Sequence, residues 1–341
     1  MRTCVASKGF DAAGLKQPLQ SSCGVRCYAS GMSEYQAHKP FTRHRIPVRS
    51  HTAEVLTWGN PAHEPVLMLH GWMDVAASFQ FLVDAMARDW YVIAPDQRGY
   101  GGTEPSRESA GGYWFPEYVA DLEAVLDHFS PNAPMHLVGH SLGGNVCCLY
   151  AGLRPERVKR LVSLDGFGIP STPPSKAAAR YVEWLDAIKT GATLSSYETL
   201  ERVADRLQKN NARLTRERAL WLAAHWAEQK DDGRWHLRAD PAHKLPFPTV
   251  YRLDEVISIW QRVTAPTLWL GASESDAKKW VGYSDESFVP ETRDGHAPGS
   301  FASRLAAFHD IRFEVIAGAG HMLQHDQPEL VAAKVEAHLA G

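Results

Sequence analysis

Apolar residues fall along this chain in two rhythms. From about residue 44, short β-branched or apolar runs alternate with longer stretches of helical spacing, the pattern of βα repeats around a mostly parallel sheet. Strands are predicted at 44–48, 53–58, 65–70, 90–95, 135–138, 158–164, 266–270 and 311–316. Several are nearly continuous apolar runs, as expected when helices cover both faces of a sheet. Helices are predicted at 118–129, 144–154 and 328–339.

The rhythm breaks between about residues 169 and 251, where helical patterns run on with no convincing strand and prolines punctuate both entrance and exit. This segment reads as an insertion. Its side chains, among them Trp184, Leu185, Leu207, Leu222 and Trp226, carry more apolar surface than isolated helices leave in water. Most are expected to pack the insertion onto the core, and the remainder to line a pocket. The expected organisation is a flexible extension and lead-in at 1–43, an α/β core at 44–168 and 252–341, and a helical cap at 169–251. Residues 282–300, polar and rich in Gly and Pro, read as a long loop.

Charge and cysteine content narrow the class. A formal charge of −3 offers no general attraction to phosphate backbones, so nucleic acid is not an expected partner. No uninterrupted apolar stretch is long enough to span a membrane, and the N-terminus lacks the compact apolar run of a secretory signal, so a cytoplasmic protein is expected. Five cysteines, none at Cys-x-x-Cys spacing, suggest neither a disulfide framework nor a zinc site. Cys147 and Cys148 fall in an apolar helical run and read as buried thiols. Residues 1–31 are basic, poor in acid and without sustained periodicity; they read as an incidental extension outside the fold, with Met32 as an alternative start, and a targeting peptide is the competing reading. The sequence carries no signal of oligomeric state.

The chemistry concentrates in four places. Residues 135–144 read as a strand running through Gly139-His140-Ser141-Leu142-Gly143 into a helix. A sharp strand-to-helix turn forces its central residue into strained backbone geometry and leaves no room for β-carbons two residues away, which is why glycines flank Ser141. The helix that follows aims its N-terminal N–H groups at negative charge forming there. A serine hydroxyl is a weak nucleophile, so this reading requires a base, and the base an orienting acid. His321, in a glycine turn after the last predicted strand, combines late order, a strand end and the same end of the sheet.

Three carboxylates compete for the acid. Asp276 is preferred, in the loop after the strand at 266–270; Glu274 in the same loop and Asp165 at the end of 158–164 are the alternatives. Acyl transfer also generates an oxyanion that needs donors aimed at it. The backbone N–H groups of Trp72, in the turn after the strand at 65–70, and of Leu142, directly after Ser141, are the candidates. His70 precedes Ser141 in order and is expected to be structural.

Together, His70-Gly71-Trp72, the Asp96–Gly101 turn, Gly139-His140-Ser141-Leu142-Gly143-Gly144 and Ala317-Gly318-Ala319-Gly320-His321-Met322 resemble the α/β-hydrolase superfamily over about residues 44–340. Within it the chain is similar to cap-containing serine hydrolases without a cofactor, including the serine hydrolase-like branch. The resemblance implies an α/β fold with a mostly parallel twisted sheet, helices on both faces and an inserted cap. Many relatives place the acid three residues after a glycine, here Glu274, whereas relatives with Ser or Thr directly before the acid favour Asp276. Serine at 141, where epoxide- and halide-processing members carry aspartate, implies acyl chemistry. The expected activity is hydrolysis of a small, largely apolar ester or related acyl compound, with water as second substrate and no cofactor or metal. C–C bond hydrolysis, acyl transfer to another acceptor, and a non-catalytic receptor for small molecules are the competing readings.

Overall fold

The computed structural model describes residues 34–105, 112–288 and 295–341. Residues 1–31, Met32 and part of the 282–300 loop therefore lie outside the described residues, in whole or in part. In chain order the elements are β1 (Thr42–Val48), β2 (His51–Trp58), β3 (Pro65–Leu69), α1 (Gln80–Ala85), β4 (Tyr91–Pro95), α2 (Phe115–Phe129), β5 (Met135–His140), α3 (Leu142–Leu153) and β6 (Val158–Leu164). The insertion contributes α4 (Ala177–Thr190), β7 (Ser196–Tyr197), α5 (Leu200–Asn210), α6 (Arg216–Trp226), β8 (Ala227–Gln229) and β9 (Trp235–Leu237). The chain then returns through α7 (Leu253–Trp260), β10 (Thr267–Ala272), α8 (Ala277–Val281), α9 (Phe301–Leu305), β11 (Ile311–Ile316), α10 (Leu323–Asp326) and α11 (Pro328–Ala340).

Eight strands form one sheet in the order β1-β2-β4-β3-β5-β6-β10-β11. Only β2 runs against its neighbours; the strands from β4 to β11 are parallel. This is the α/β architecture that the alternating pattern predicts. Every residue of β5 and of β10 is buried, the signature of central strands covered on both faces. One core layer packs α1 and α11 against one face, the other packs α2, α3, α7 and α9 against the opposite face.

The insertion differs from expectation in two respects. It is not purely helical: β7, β9 and β8 form a small antiparallel sheet in that order. Strands of two or three residues are too short to show a period-2 pattern, so periodicity could not reveal them. Its two helical parts also behave differently. Leu200, Val203, Leu207, Leu214 and Leu222 are buried in the core layer shared with α1 and α11. At roughly 1.5–3 kcal/mol for each large aliphatic side chain, that face fixes α5 and α6 in place. By contrast α4 buries no residue, and Leu185, expected to pack inward, stands exposed beside Tyr181 and Val182.

The segment 34–43, expected as flexible lead-in, is anchored. The Tyr35 hydroxyl donates to Asp84, the Lys39 backbone N–H donates to the same carboxylate at 2.8 Å, and the Lys39 carbonyl accepts from Gln80 Nε2 at 2.9 Å. The Tyr35 ring also packs edge-on against Phe81 and Trp221, joining α1 to the cap helix α6. A polar, short segment gives no periodicity to read, and its order comes from partners far along the chain.

Candidate active site

Ser141 sits between β5 and α3 with φ 51° and ψ −113°, a backbone conformation that side chains rarely tolerate. The neighbouring glycines are required by space: a β-carbon at Gly143 would stand 2.1 Å from the carbonyl oxygen of Leu69, and one at Gly139 would run into Gly143. Met73, Ser141 and Asp165 are three of the four non-glycine residues with positive φ among those described. Strain of this kind persists where surrounding structure over-determines it, and all three lie at one rim of the sheet.

Register explains which side chains meet. β5 and β6 are parallel, with His140 opposite Leu164, and the Ser141 N–H donates to the Leu164 carbonyl at 2.8 Å. Asp165, the next residue, is therefore level with Ser141 and one strand away. His321 follows β11, and its loop is drawn back across the end of β10 by the Glu274 N–H, which donates to the Ala319 carbonyl at 2.9 Å. The result is a continuous relay: Ser141 Oγ lies 2.9 Å from His321 Nε2, and His321 Nδ1 lies 2.6 Å from Asp165 Oδ2. An ionised carboxylate has only acceptors, so Nδ1 carries the hydrogen and Nε2 turns its lone pair to the hydroxyl. Asp165 is fully buried at its side chain, whereas the His321 ring is 39% exposed. The carboxylate is shielded while the imidazole faces the space above the sheet.

By position, the carboxylate that meets His321 is that of Asp165 and not of the preferred Asp276, and the preference for Asp276 is corrected to that extent. Asp276 lies six residues past Leu270, beyond the turn that starts α8, with its side chain 78% exposed and paired with Lys279 at 2.6 Å. That lysine holds its carboxyl below the usual range. Glu274 is also turned outward, in an ion pair with Arg213. What the loop after β10 does supply is Ser275, whose hydroxyl donates to Asp165 Oδ2, and Tyr283, whose hydroxyl is 3.3 Å from Oδ1. Neither residue was among the sequence candidates. Ser275 stands directly before Asp276, so the serine-before-acid pattern pointed to a loop that supplies a hydrogen-bond donor to the carboxylate rather than the carboxylate itself.

Other contacts hold the relay. His140 donates from Nε2 to the His321 carbonyl at 2.8 Å; burial first, then the neighbouring His321, keep its pKa well below the ordinary histidine value. His70 is structural, as expected: its Nε2 accepts from the Gln97 N–H at 2.9 Å and its Nδ1 donates to the Gly71 carbonyl at 2.8 Å. Arg304, buried, donates to the carbonyls of Phe167 at 2.7 Å and Ile169 at 3.3 Å, fixing the segment that leads from Asp165 into the cap. The Asp96–Gly101 turn is scaffolding: Asp96 accepts from the N–H groups of Ala76 and Gly102.

Leu142 follows Ser141 directly, and Trp72 belongs to the loop after β3. Leu142 opens α3, so its N–H is one of those that a helix leaves without an internal partner. The loop carrying Trp72 abuts the nucleophile, since a β-carbon at Gly71 would stand 3.3 Å from that of Ser141. The cap grips this loop from both sides. Trp72 Nε1 donates to the His243 carbonyl at 3.2 Å, and cap residue Trp226 donates from Nε1 to Asp74 Oδ1 at 3.1 Å. His243 is itself stacked between Tyr100 and Tyr113, at 3.7 Å from each ring centre.

This rim, at the carboxyl end of a mostly parallel eight-stranded sheet, defines the class. The model of the α/β-hydrolase fold family matches residues 64–328, and the chain belongs to that family. Among curated proteins it is similar to a serine hydrolase-like protein of Danio rerio, 28% identical over 249 residues that cover 71% of this chain and 76% of that one. It is also similar to serine hydrolase-like protein 2 of Homo sapiens, 31% identical over 166 residues, covering 47% of this chain and about half, 52%, of the human protein. These likenesses support the serine hydrolase-like branch. Among solved structures, the thioesterase domain from the curacin biosynthetic pathway superposes with a TM-score of 0.73 over 87% of this chain and 99% of its own, at 19% identity, a likeness of fold. Among the described residues, no helix is long and apolar enough to cross a membrane, and no cluster of metal-ligating side chains is present.

Proposed function

We propose that this α/β hydrolase cleaves a small, largely apolar carboxylic ester or related acyl compound through an acyl-enzyme intermediate. The observation that carries the reading is the unbroken relay from Ser141 through His321 to Asp165, at 2.9 and 2.6 Å. Ser141 Oγ attacks the carbonyl carbon as His321 Nε2 takes its proton. Asp165 holds the imidazole in the correct tautomer and stabilises the imidazolium. The backbone N–H groups of Trp72 and Leu142 receive the negative charge that develops on the carbonyl oxygen. His321 then returns the proton to the leaving alcohol, and water, activated by the same imidazole, releases the acid and restores Ser141.

Replacing Ser141 with Ala removes the only atom that bonds to substrate in this scheme. Turnover of activated esters is expected to fall by about a million-fold, together with labelling by a fluorophosphonate. Unchanged labelling of a folded Ser141→Ala protein overturns the assignment.

A further inference from the structure

A cavity of about 500 Å3 lies between the cap and the loop that carries Trp72. Its walls connect to the reacting groups at two places. Trp72 and Met73 line it, and the preceding Gly71 packs against Ser141. Asn210 lines it from the end of α5; its neighbour Asn211 donates to Asp326 at 2.7 Å, and Asp326 accepts from the N–H of Gly320, next to His321. A ligand filling this space therefore meets the loop that carries Trp72, one residue from the Gly71 that packs against Ser141.

The lining divides by chemistry. Trp72, Met73, Trp226 and Leu237 give it an apolar body. Arg206, Lys209 and Lys244 also line it. Arg206 and Lys209 are three residues apart on α5 and so share one face of that helix, while Leu200, Val203 and Leu207 are buried in the core. The one acid in the lining, Asp205, is already engaged by Arg202 at 3.4 Å and Arg216 at 2.7 Å. Lys244 Nζ donates to the Thr193 carbonyl at 3.1 Å, which leaves its charge uncompensated. Among the described residues neither Arg206 nor Lys209 is in an ion pair with a carboxylate. Three positive charges thus line a partly apolar cavity that also touches the Trp72 loop, in a chain whose overall formal charge is −3.

The geometry points to an amphipathic anion as the natural occupant: an ester whose apolar chain ends in a second, negatively charged group, held by Arg206, Lys209 and Lys244. This rests on the ester-hydrolase reading above and refines it, replacing a wholly apolar substrate by one with a charged far end. A cavity of this size accommodates a medium-length chain. Selectivity comes from the attraction, because a neutral end leaves the cations to water and gains nothing from them.

The test uses two pairs of esters. One pair carries the charge on the acyl side, 4-nitrophenyl hydrogen suberate against its methyl-capped twin. The other carries it on the leaving side, the octanoyl ester of 4-hydroxybenzoate against its methyl-capped twin. In at least one pair the carboxylate ester is expected to show a kcat/KM about tenfold above its twin at low ionic strength, through KM, with the gap closing as salt is added. The Arg206→Ala/Lys209→Ala double variant should abolish the gap, and the pair that shows it identifies the side. A parallel measurement needs no turnover: suberate binding to Ser141→Ala, followed by calorimetry, should weaken about tenfold in the double variant. If no ester is hydrolysed and the fluorophosphonate does not label, the hydrolase reading falls, while the calorimetric result still decides the anion site. Equal kcat/KM within both pairs, or suberate binding that is absent or indifferent to the double substitution, overturns the inference.

Discussion

Two loops leave the same end of the sheet one strand apart, after β6 and after β10, and both present carboxylates within a few residues of the strand end. The first turns its carboxylate inward at once: Asp165 follows Leu164 directly, adopts φ 50°, and is buried against His321 and Ser275. The second runs through Ser273, Glu274 and Ser275 before Asp276, by which point the chain has reached the outside and begun α8. The difference teaches that distance from the strand end, counted in residues, decides whether a carboxylate shares the plane of the nucleophile or points at solvent. Nearness in sequence to an otherwise good motif does not.

The largest test of that contrast is Asp165→Asn. The amide keeps the shape but offers a donor where His321 Nδ1–H needs an acceptor, so the imidazole loses its orienting partner. Ester turnover is expected to fall about 10^4-fold, with the fold retained by circular dichroism. A loss below about tenfold would remove Asp165 from the relay.

Burial at this rim has a second, pH-dependent consequence. His325, in α10 just past the relay, lies 2.9 Å through Nε2 from Ser78 Oγ, and burial pulls its pKa down to about 4. Its unfolded value is about 6.5. Between those two values the unfolded chain takes up a proton that the folded one refuses, so stability rises with pH across that window. It is fully present above about 6.5 and is lost as pH falls towards 4. His225 and His338, also held by burial at about 4, act in the same direction. Each contributes a slope of up to about 1.4 kcal/mol per pH unit, measurable as a falling urea midpoint between pH 6.5 and 4.5. His325→Gln should flatten that slope, and an unchanged slope would show that the ring accepts its proton in the folded state. Asp276, exposed, should leave no comparable mark at acid pH.

How far the sequence reached follows the same division between local and distant causes. The sheet, the turn around Ser141 and the placement of His321 were legible because each is specified within about ten residues, by continuous apolar runs and by glycines at positions where a β-carbon collides. Choosing between Asp165 and Asp276 required the register of β5 with β6 and the path of the 317–322 turn across β10, which no local pattern encodes. Ser275, His140 and the contacts from Trp226 to Asp74 were illegible for the same reason, since their partners lie 110, 181 and 152 residues away. The small sheet β7-β9-β8 was hidden by the brevity of its strands, and the anchored segment at Tyr35 by its lack of any period.

Ser275 gives a smaller effect, and one that reads the β10 loop directly. Its hydroxyl is a donor to the buried carboxylate of Asp165, and its oxygen accepts from the Ala277 N–H at 3.1 Å. Ser275→Ala takes away one hydrogen bond to a charged group while leaving His321 in place. A hydrogen bond of that kind corresponds to a decrease of about tenfold in kcat, with KM little changed. Ser275→Thr keeps the hydroxyl and should restore most of the rate, which a purely steric role for the serine would not predict.

The smallest expected effect is the most discriminating, because it falls on the residue that the sequence pattern favoured. Asp276 and Lys279 form a pair in which the side chains are 78% and 80% exposed, so water and salt screen the field that either projects toward His321. Asp276→Asn should therefore leave kcat and KM within about twofold of the parent, and Glu274→Gln, which loosens only the exposed pair with Arg213, should do the same. Combining Asp276→Asn with Asp165→Asn sharpens the comparison further: if Asp276 has no part in the relay, the double variant is no slower than Asp165→Asn alone. If instead the second substitution removes another hundredfold, the loop after β10 must swing inward during turnover and present its carboxylate to the imidazole, and the two strand ends would then share the work of orienting it.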